Sequence, residues 1–341
     1  MTGGEPVGWQ EIVTQLQQVA VAEATGQLDA ATRGPLRLRS VGSSDLSVFP
    51  LALSGNVFGW TADDAETDSI LDAYAEQGGN FIDTADSYAG GRSETMIGNW
   101  MRKRRTRGNM IVATKVGKSA DHPGLRARAL TKAVHASLNR LGTDRIDLLY
   151  LHIDDVNVEF EETLLAVDEL IRAGKVRFFG CSDHTGNRLI EARVASAQLG
   201  VAPMVALQNR YNLLQRSEYE GDLARVADQQ GLGVMPRFAL ASGFLTGKYR
   251  QRSDVALNQR RGEVARLMTR RGMRILTTLD RVAREQSTTV ASVALAWLLA
   301  KPGVVAPVAS VTSAAQLADL ADAVRLQLTR HQMADLDRAS Q

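Results

Sequence analysis

Cysteine is almost absent from this chain of 341 residues. Cys181 stands alone, so neither an intrachain disulfide nor a cysteine-cluster metal site can form, and a reducing compartment fits best. The 5 histidines lack metal-ligand spacing, and no metal is expected. An excess of either charge is also missing. The 40 basic residues against 38 acidic leave a net +2, which offers no electrostatic basis for binding nucleic acid or an anionic membrane. No run approaches the roughly 18 uninterrupted apolar residues of a membrane span. The opening Met-Thr-Gly-Gly-Glu-Pro has no basic segment before an apolar core, so no signal peptide is read there and a cytoplasmic location is expected. The G-x-G-x-x-G turn of a doubly wound dinucleotide-binding sheet is lacking too: the first strand is followed by Ser54-Gly55-Asn56-Val57-Phe58-Gly59-Trp60.

What is present is an ordinary globular balance, 44% hydrophobic and 23% charged, with enough apolar side chains for a large core. Residues 1–34 form a segment of their own. Trp9, Ile12, Val13, Leu16 and Val19 recur at helical spacing, which predicts an appended amphipathic helix, with partner binding as one use for it. From residue 35 to 341 short apolar runs alternate with helical patterns. The runs span 48–53, 81–85, 110–116, 146–152, 176–182, 205–208, 233–237 and 304–310. Eight strands, each followed by helix, predict a (β/α)8 TIM barrel with an extra N-terminal helical segment. The longest interval, 237–304, holds a polar loop and two predicted helices, 263–286 and 289–300. Its place after a barrel strand puts it on the face where active sites form.

A polar residue closes six of these strands: Asp83, Lys115, His152, Ser182, Gln208 and Arg237, about 26 to 37 residues apart. Charged groups at the ends of apolar strands are costly unless paired or at a solvent-reachable mouth, so six in register indicate one polar focus. Four residues make a proton-transfer set. Tyr88 alone, with a phenol pKa of about 10, is a poor donor near neutrality. A nearby Lys115 ammonium would bring that value down, Asp83 would hold the lysine charged, and His152 would hydrogen-bond a substrate oxygen gaining negative charge. Each has an ordinary explanation if taken singly: a helix cap, a snorkelling lysine, a core histidine, a packing aromatic. Their order on successive strands favours the joint reading.

The same residues carry a resemblance. NFIDTADSYAGGRSE (80–94), VATKVG (112–117), DLLYLHIDD (147–155), FEETLLAVDELIRAGKVRFFGCS (160–182), LQNRYNLL (207–214), LASGFLTGKYR (240–250) and VASVTSAAQLADL (308–320) are together similar to the aldo-keto reductases, over residues 36–325 or so. The resemblance implies reduction of an aldehyde or ketone by NADP, with NAD as the alternative, bound across the barrel mouth without a Rossmann domain. It implies catalysis by Asp83, Tyr88, Lys115 and His152. Ser182, Asp183 and Gln208 would meet the nicotinamide carboxamide, and Gly55 and Asn56 the ribose. Gly243, Leu245, Gly247 and Lys248 would cover the pyrophosphate, and Ser310, Thr312 and Gln316 the adenosine phosphate. Phe58 and Trp60, with the 211–222 loop, are expected as walls of the substrate pocket beside Tyr88 and His152.

Three positions depart from the family pattern. Asp183 stands where an asparagine is usual, Arg237 where an aromatic commonly stacks on the nicotinamide, and the adenosine-phosphate turn lacks its Lys and Arg. If Asp183 and Arg237 both face the ring, they are expected to pair. A 2′-phosphate would then depend on Arg260 or Arg261. Two other functions fit less of the pattern: a nucleotide-sensing partner subunit of the same fold, and a Schiff-base enzyme using Lys115.

Overall fold

The computed structural model describes residues 33–255 and 261–341. The helix predicted within residues 9–24 lies outside them. Two short strands, β1 (Arg39–Ser40) and β2 (Ser47–Val48), pair antiparallel ahead of the main sheet. Eight parallel strands then follow: β3 (Ala52–Ser54), β4 (Phe81–Asp83), β5 (Ile111–Val116), β6 (Ile146–Leu151), β7 (Val176–Ser182), β8 (Ala206–Gln208), β9 (Gly233–Val234) and β10 (Val308–Ala309). Neighbours run in chain order from β3 to β9, and β10 pairs back onto β3. Closure between β9 and β10 runs through a Val234–Val304 bridge and the bonds Val305 N–H to Val234 O (2.8 Å) and Val308 N–H to Pro236 O (2.8 Å). The fold is a (β/α)8 barrel.

Several strands are shorter than their apolar runs, and proline is the reason at three of them. The predicted strand 48–53 divides at Pro50 into β2, which joins the hairpin, and β3, which joins the barrel. Pro236 and Pro307 likewise shorten β9 and β10, because a proline has no N–H to give the ladder. Their carbonyls still accept, Pro307 O from Ala52 N–H at 3.0 Å.

The helices that wrap the barrel are α1 (Asp64–Glu76), α2 (Arg92–Arg104), α3 (Ala127–Leu141), α4 (Phe160–Arg172), α5 (Gly186–Leu199), α6 (Asp222–Gln229), α7 (Arg261–Leu267), α8 (Arg270–Glu285), α9 (Val290–Leu299), α10 (Ala314–Ala321) and α11 (Arg330–Ala339). One predicted helix, 263–286, is two. Thr269 caps α8 by accepting from Gly272 N–H at 3.0 Å, and a side chain at Gly272 would collide with the carbonyl of Leu267. The basic run at the end of α2 is used in packing: Lys103 pairs with Asp68 (2.8 Å) and Arg104 with Asp72 (2.6 Å), tying α2 to α1.

The core has two layers. The larger lies between barrel and helices, with Trp100 and Trp297 buried in it. The smaller fills the barrel with Ala52, Phe81, Ala113, Leu148, Tyr150, Ala206, Met235 and Ala306, and is continued by Val41, Leu46 and Val48 of the hairpin segment. Apolar hairpin residues thus join the barrel interior at the strand N-terminal end, and the polar strand ends gather at the opposite mouth. Within the barrel, Lys115, Tyr150, Gly180 and Ala206 lie in register on four adjacent strands. A Cβ at Gly180 would strike the carbonyl oxygen of Ala206, so glycine lets these strands approach around the bulky Tyr150. Gly180→Val is expected to destabilise the barrel by about 1–3 kcal/mol, the range for overpacking a tight core. Urea denaturation checks this; a midpoint unchanged from wild type would contradict it.

Candidate active site

Asp83 ends β4, Lys115 lies near the end of β5, and both are 1% exposed. The ammonium of Lys115 donates to both Asp83 carboxylate oxygens, at 2.5 and 2.6 Å, and to the Thr84 carbonyl at 2.6 Å. Bringing two charges out of water costs several kcal/mol each, and only this close pairing with a third hydrogen bond offsets it. Desolvation works against the charged lysine, yet Asp83 and Tyr88 outweigh it, and the Lys115 pKa lies above its ordinary value.

Tyr88 enters from a tight turn after β4. Ala89, Gly90 and Gly91 are all left-handed (φ 49°, 63° and 87°), which turns the chain sharply into α2. The start of α2 is held by buried Glu94, which accepts from Thr114 of β5 (2.5 Å) and Arg140 of α3 (2.7 Å). Asp86 adds two ties, its N–H to Lys115 O at 2.9 Å and its carboxylate accepting from Gly117 N–H at 3.4 Å. Burial and neighbouring Glu94 push the Asp86 pKa up to about 6. The Lys115 ammonium then lies 4.9 Å from the Tyr88 ring centroid. Burial dominates the phenol and raises its pKa, with Lys115 as the strongest opposing influence. The expected lowering is therefore overridden: low-dielectric surroundings disfavour the phenolate more than one shared ammonium favours it.

His152 follows β6, its N–H bonded to Val116 O at 2.9 Å, and its ring meets Tyr88 edge to face with centroids 6.2 Å apart. Burial, then the charges of Lys115, Lys118 and Arg237, lower its pKa to about 2, so the imidazole is neutral. Its Nδ1 is buried without a hydrogen-bond partner among the described residues, as are Asn56 Oδ1 and Ser182 Oγ.

A cavity of about 740 Å³ runs from Tyr88 and His152 to the last βα turn. Asn56, Trp60, Gln208, Arg237, Gly243, Lys248, Ser310, Thr312 and Gln316 line it, so most of the residues singled out from the sequence come together. Gln208 turns its amide to Asp83, at 3.3 and 3.4 Å. Asp183 and Arg237 do pair: the guanidinium donates to both carboxylate oxygens, at 2.7 and 2.8 Å, with the Asp183 backbone left-handed (φ 60°). Asn209 fixes that turn, accepting from Asp183 N–H (3.0 Å) and donating to the His184 carbonyl (3.1 Å).

Other expectations are corrected. Phe58 is fully buried in the layer beneath α2 and is no pocket wall. Gly55 is needed for packing: Ser93 donates to its carbonyl at 2.8 Å, leaving no room for a side chain. The N–H groups of Gly243, Leu245 and Gly247 are taken by carbonyls of their own loop, and the Leu245 side chain is in the core. That loop presents Ser242, Gly243, Thr246 and Lys248 to the cavity instead. The 211–222 loop lies elsewhere: Tyr211, Arg216, Tyr219 and Glu220 line a second cavity of about 570 Å³. Arg260 and the side chain of Arg261 are outside the described part of the chain. Sequence reasoning overlooked three charged residues on the main cavity wall, Lys118, Asp254 and Asp319. Lys118 carries a signal close to that of Lys115, a basic residue by the end of a strand. Asp254 and Asp319, in a short 3-10 helix and in α10, carry none.

A closed barrel with a buried lysine–aspartate pair, a tyrosine and a neutral histidine at its mouth defines a class of barrel oxidoreductases, and the comparisons agree. Residues 51–341 match the model of the Aldo/keto reductase family. An aryl-alcohol dehydrogenase of Pestalotiopsis microspora is 31% identical over 312 residues, covering 87% of this chain and 80% of that protein. Norsolorinic acid reductase of Aspergillus flavus is 29% identical over 87% of this chain and 79% of its own length. A probable voltage-gated potassium channel subunit beta of Arabidopsis thaliana is 30% identical over 85% and 91%. The chain belongs to the aldo/keto reductase family, whose members are oxidoreductases of carbonyl compounds that use nicotinamide cofactors. Among the described residues no helix is long and apolar enough to cross a membrane, and no group of His, Cys, Asp and Glu is placed to hold a metal.

The depressed His152 pKa has a consequence for stability. Between about pH 6.5 and about pH 2 the unfolded chain binds a proton at this residue and the folded chain does not. Stability from this group is therefore present above pH 6.5 and falls as pH drops. His152→Gln is expected to flatten the acid limb of the stability–pH curve relative to wild type, read by denaturant titrations from pH 7 to 4; parallel curves would contradict it.

Proposed function

We propose that this chain reduces an aldehyde or ketone to an alcohol, with Tyr88 as general acid and NADP as the nucleotide. The observation that carries this reading is the buried Asp83–Lys115 pair with its ammonium 4.9 Å from the Tyr88 ring, beside a cavity of about 740 Å³ whose wall extends to the last βα turn. A bound dihydronicotinamide supplies the hydride to the carbonyl carbon. The chain's own residues supply the rest. The raised pKa keeps Tyr88 protonated near neutrality, ready to donate as the carbonyl oxygen gains charge. Lys115, held charged by Asp83, stabilises the phenolate left behind. His152, neutral, donates a hydrogen bond to the same oxygen and orients it.

The residues fit the nucleotide. Among the described residues Ser182 Oγ and Asn56 Oδ1 are buried without partners, and they would meet the carboxamide and ribose. Lys248 and Ser242 would meet the pyrophosphate, and the hydroxyls of Ser310 and Thr312 the adenosine phosphate. The Asp183–Arg237 pair takes the stacking position with its charges balanced against each other, which lessens the repulsion an unpaired guanidinium would exert on an oxidised ring. Asp319 on the adenosine end of the wall favours NAD over NADP, as does the lack of Lys and Arg at the adenosine-phosphate turn. A partner-subunit role is suggested by the name of the Arabidopsis relative. Tight nucleotide binding without turnover would support it.

Tyr88→Phe is expected to lower kcat by about 10²–10⁴, the usual contribution of a positioned acid, while retaining nucleotide binding. NADPH oxidation with benzaldehyde and fluorescence titration of NADPH check this. Equal turnover by both proteins would overturn Tyr88 as the acid. Asp319→Asn is expected to shift the kcat/KM ratio of NADPH over NADH upward by about tenfold, since a carboxylate near a phosphate is repulsive. An unmoved ratio would remove Asp319 from nucleotide choice.

A further inference from the structure

Resting on the reductase reading, the geometry points to a carbonyl substrate that carries its own anionic group, a carboxylate, with Lys118 as the residue that selects it. Lys118 follows β5 by two residues and lies on the wall of the cavity that holds Tyr88 and His152. Around His152 stand three cations, Lys115, Lys118 and Arg237, and two carboxylates, Asp83 and Asp183. Asp83 is fully engaged by Lys115. Asp183 is engaged through both oxygens by Arg237. Lys118 reaches Asp183 only at 3.7 Å, beyond hydrogen-bond length, and among the described residues this is the one ion pair it makes. One positive charge is left over, and it belongs to Lys118.

Neighbouring acids do not cancel it. Asp86 is buried, is not on the cavity wall, and has Glu94 and Arg140 as its charged neighbours. Asp254 and Asp319 are on the wall, but on the β9–β10 side with Lys248 and the last βα turn. In a closed ring of eight strands, β5 stands opposite β9. Lys118 thus follows a strand opposite the one that precedes Lys248, which would take the nucleotide phosphates, and it meets the β9 side through Asp183 and Arg237, next to His152. It faces whatever carbonyl compound enters beside Tyr88. Burial costs Lys118 part of its hydration and lowers its pKa, so a substrate carboxylate would replace lost water contacts with a charge-assisted hydrogen bond. The rest of that end offers apolar surface from Val57 and Trp60 for the body of the substrate.

The test is a matched pair of aldehydes, 4-carboxybenzaldehyde and its neutral methyl ester, methyl 4-formylbenzoate, with NADPH at low and high salt. Wild type is expected to favour the carboxylate in kcat/KM by about tenfold, mainly through KM, and to lose part of that preference at high salt. Lys118→Gln should bring the ratio to about one, and Lys118→Arg should keep most of it. Wild-type turnover of both aldehydes without preference, or an equal loss on both in Lys118→Gln, would overturn the inference and leave the reductase reading standing. No turnover of either aldehyde, with NADPH bound, would overturn both.

Discussion

The buried pair of Lys115 and Asp83 is the interaction around which this barrel is organised. An ammonium and a carboxylate, each 1% exposed, can exist there only at bond distance and with every remaining donor satisfied. That requirement fixes β4 against β5 at their C-terminal ends and fixes the Thr84 carbonyl beside them. It also fixes the turn that delivers Tyr88 over the ammonium. Below the pair lie the largely apolar side chains of the barrel interior, continued by the hairpin segment. Stability and chemistry meet in the same two side chains.

Around this pair the mouth is built by turns whose backbone departs from the ordinary regions. Ala89, Asp183, Phe238, Ala241 and Ser242 all have positive φ without being glycine; Phe238 and Ser242 line the cavity, Ala89 and Ala241 adjoin residues that do, and Asp183 is paired with Arg237 of its wall. Such conformations cost free energy and persist where neighbours over-determine them. Here the neighbours are visible: Glu94 and Arg140 behind Ala89, Asn209 beneath Asp183, Asn212 donating to the Phe238 carbonyl at 2.9 Å, and Glu263 accepting from Ser242 at 2.5 Å. The Asp183–Arg237 pair belongs to this scaffolding as much as to any ligand. It bridges the loops after β7 and β9 and sets which cation near His152 keeps an unmatched charge.

Much of this was legible in the chain. Short continuous apolar runs and their spacing marked eight strands, because a barrel strand buries both faces and must be apolar until its last residues. Polar residues at those last positions marked the mouth for the same reason, and Asp83, Lys115, His152, Gln208 and Arg237 all reached it. The errors have physical causes. Prolines cut the ladders of strands that apolar composition alone would lengthen. Thr269 divided a helix whose periodicity was unbroken. Phe58 turned inward because Gly55 and Ser93 bring α2 close to its loop. Amides of a glycine-rich loop proved to be bonded within the loop, which composition cannot reveal.

By itself the sequence determined the order of elements, the closed barrel and the identity of the groups at its polar end, since periodicity and the cost of burying charge act locally along the chain. Tertiary structure alone decided the quantities that depend on several strands at once. These are the net rise of the Tyr88 pKa, the neutrality of His152, and the charge left on Lys118 after Arg237 had taken both oxygens of Asp183. Each is a balance between burial and charges contributed from distant parts of the chain. Such balances vary with separation and with how much water remains, and a linear order of residues contains neither.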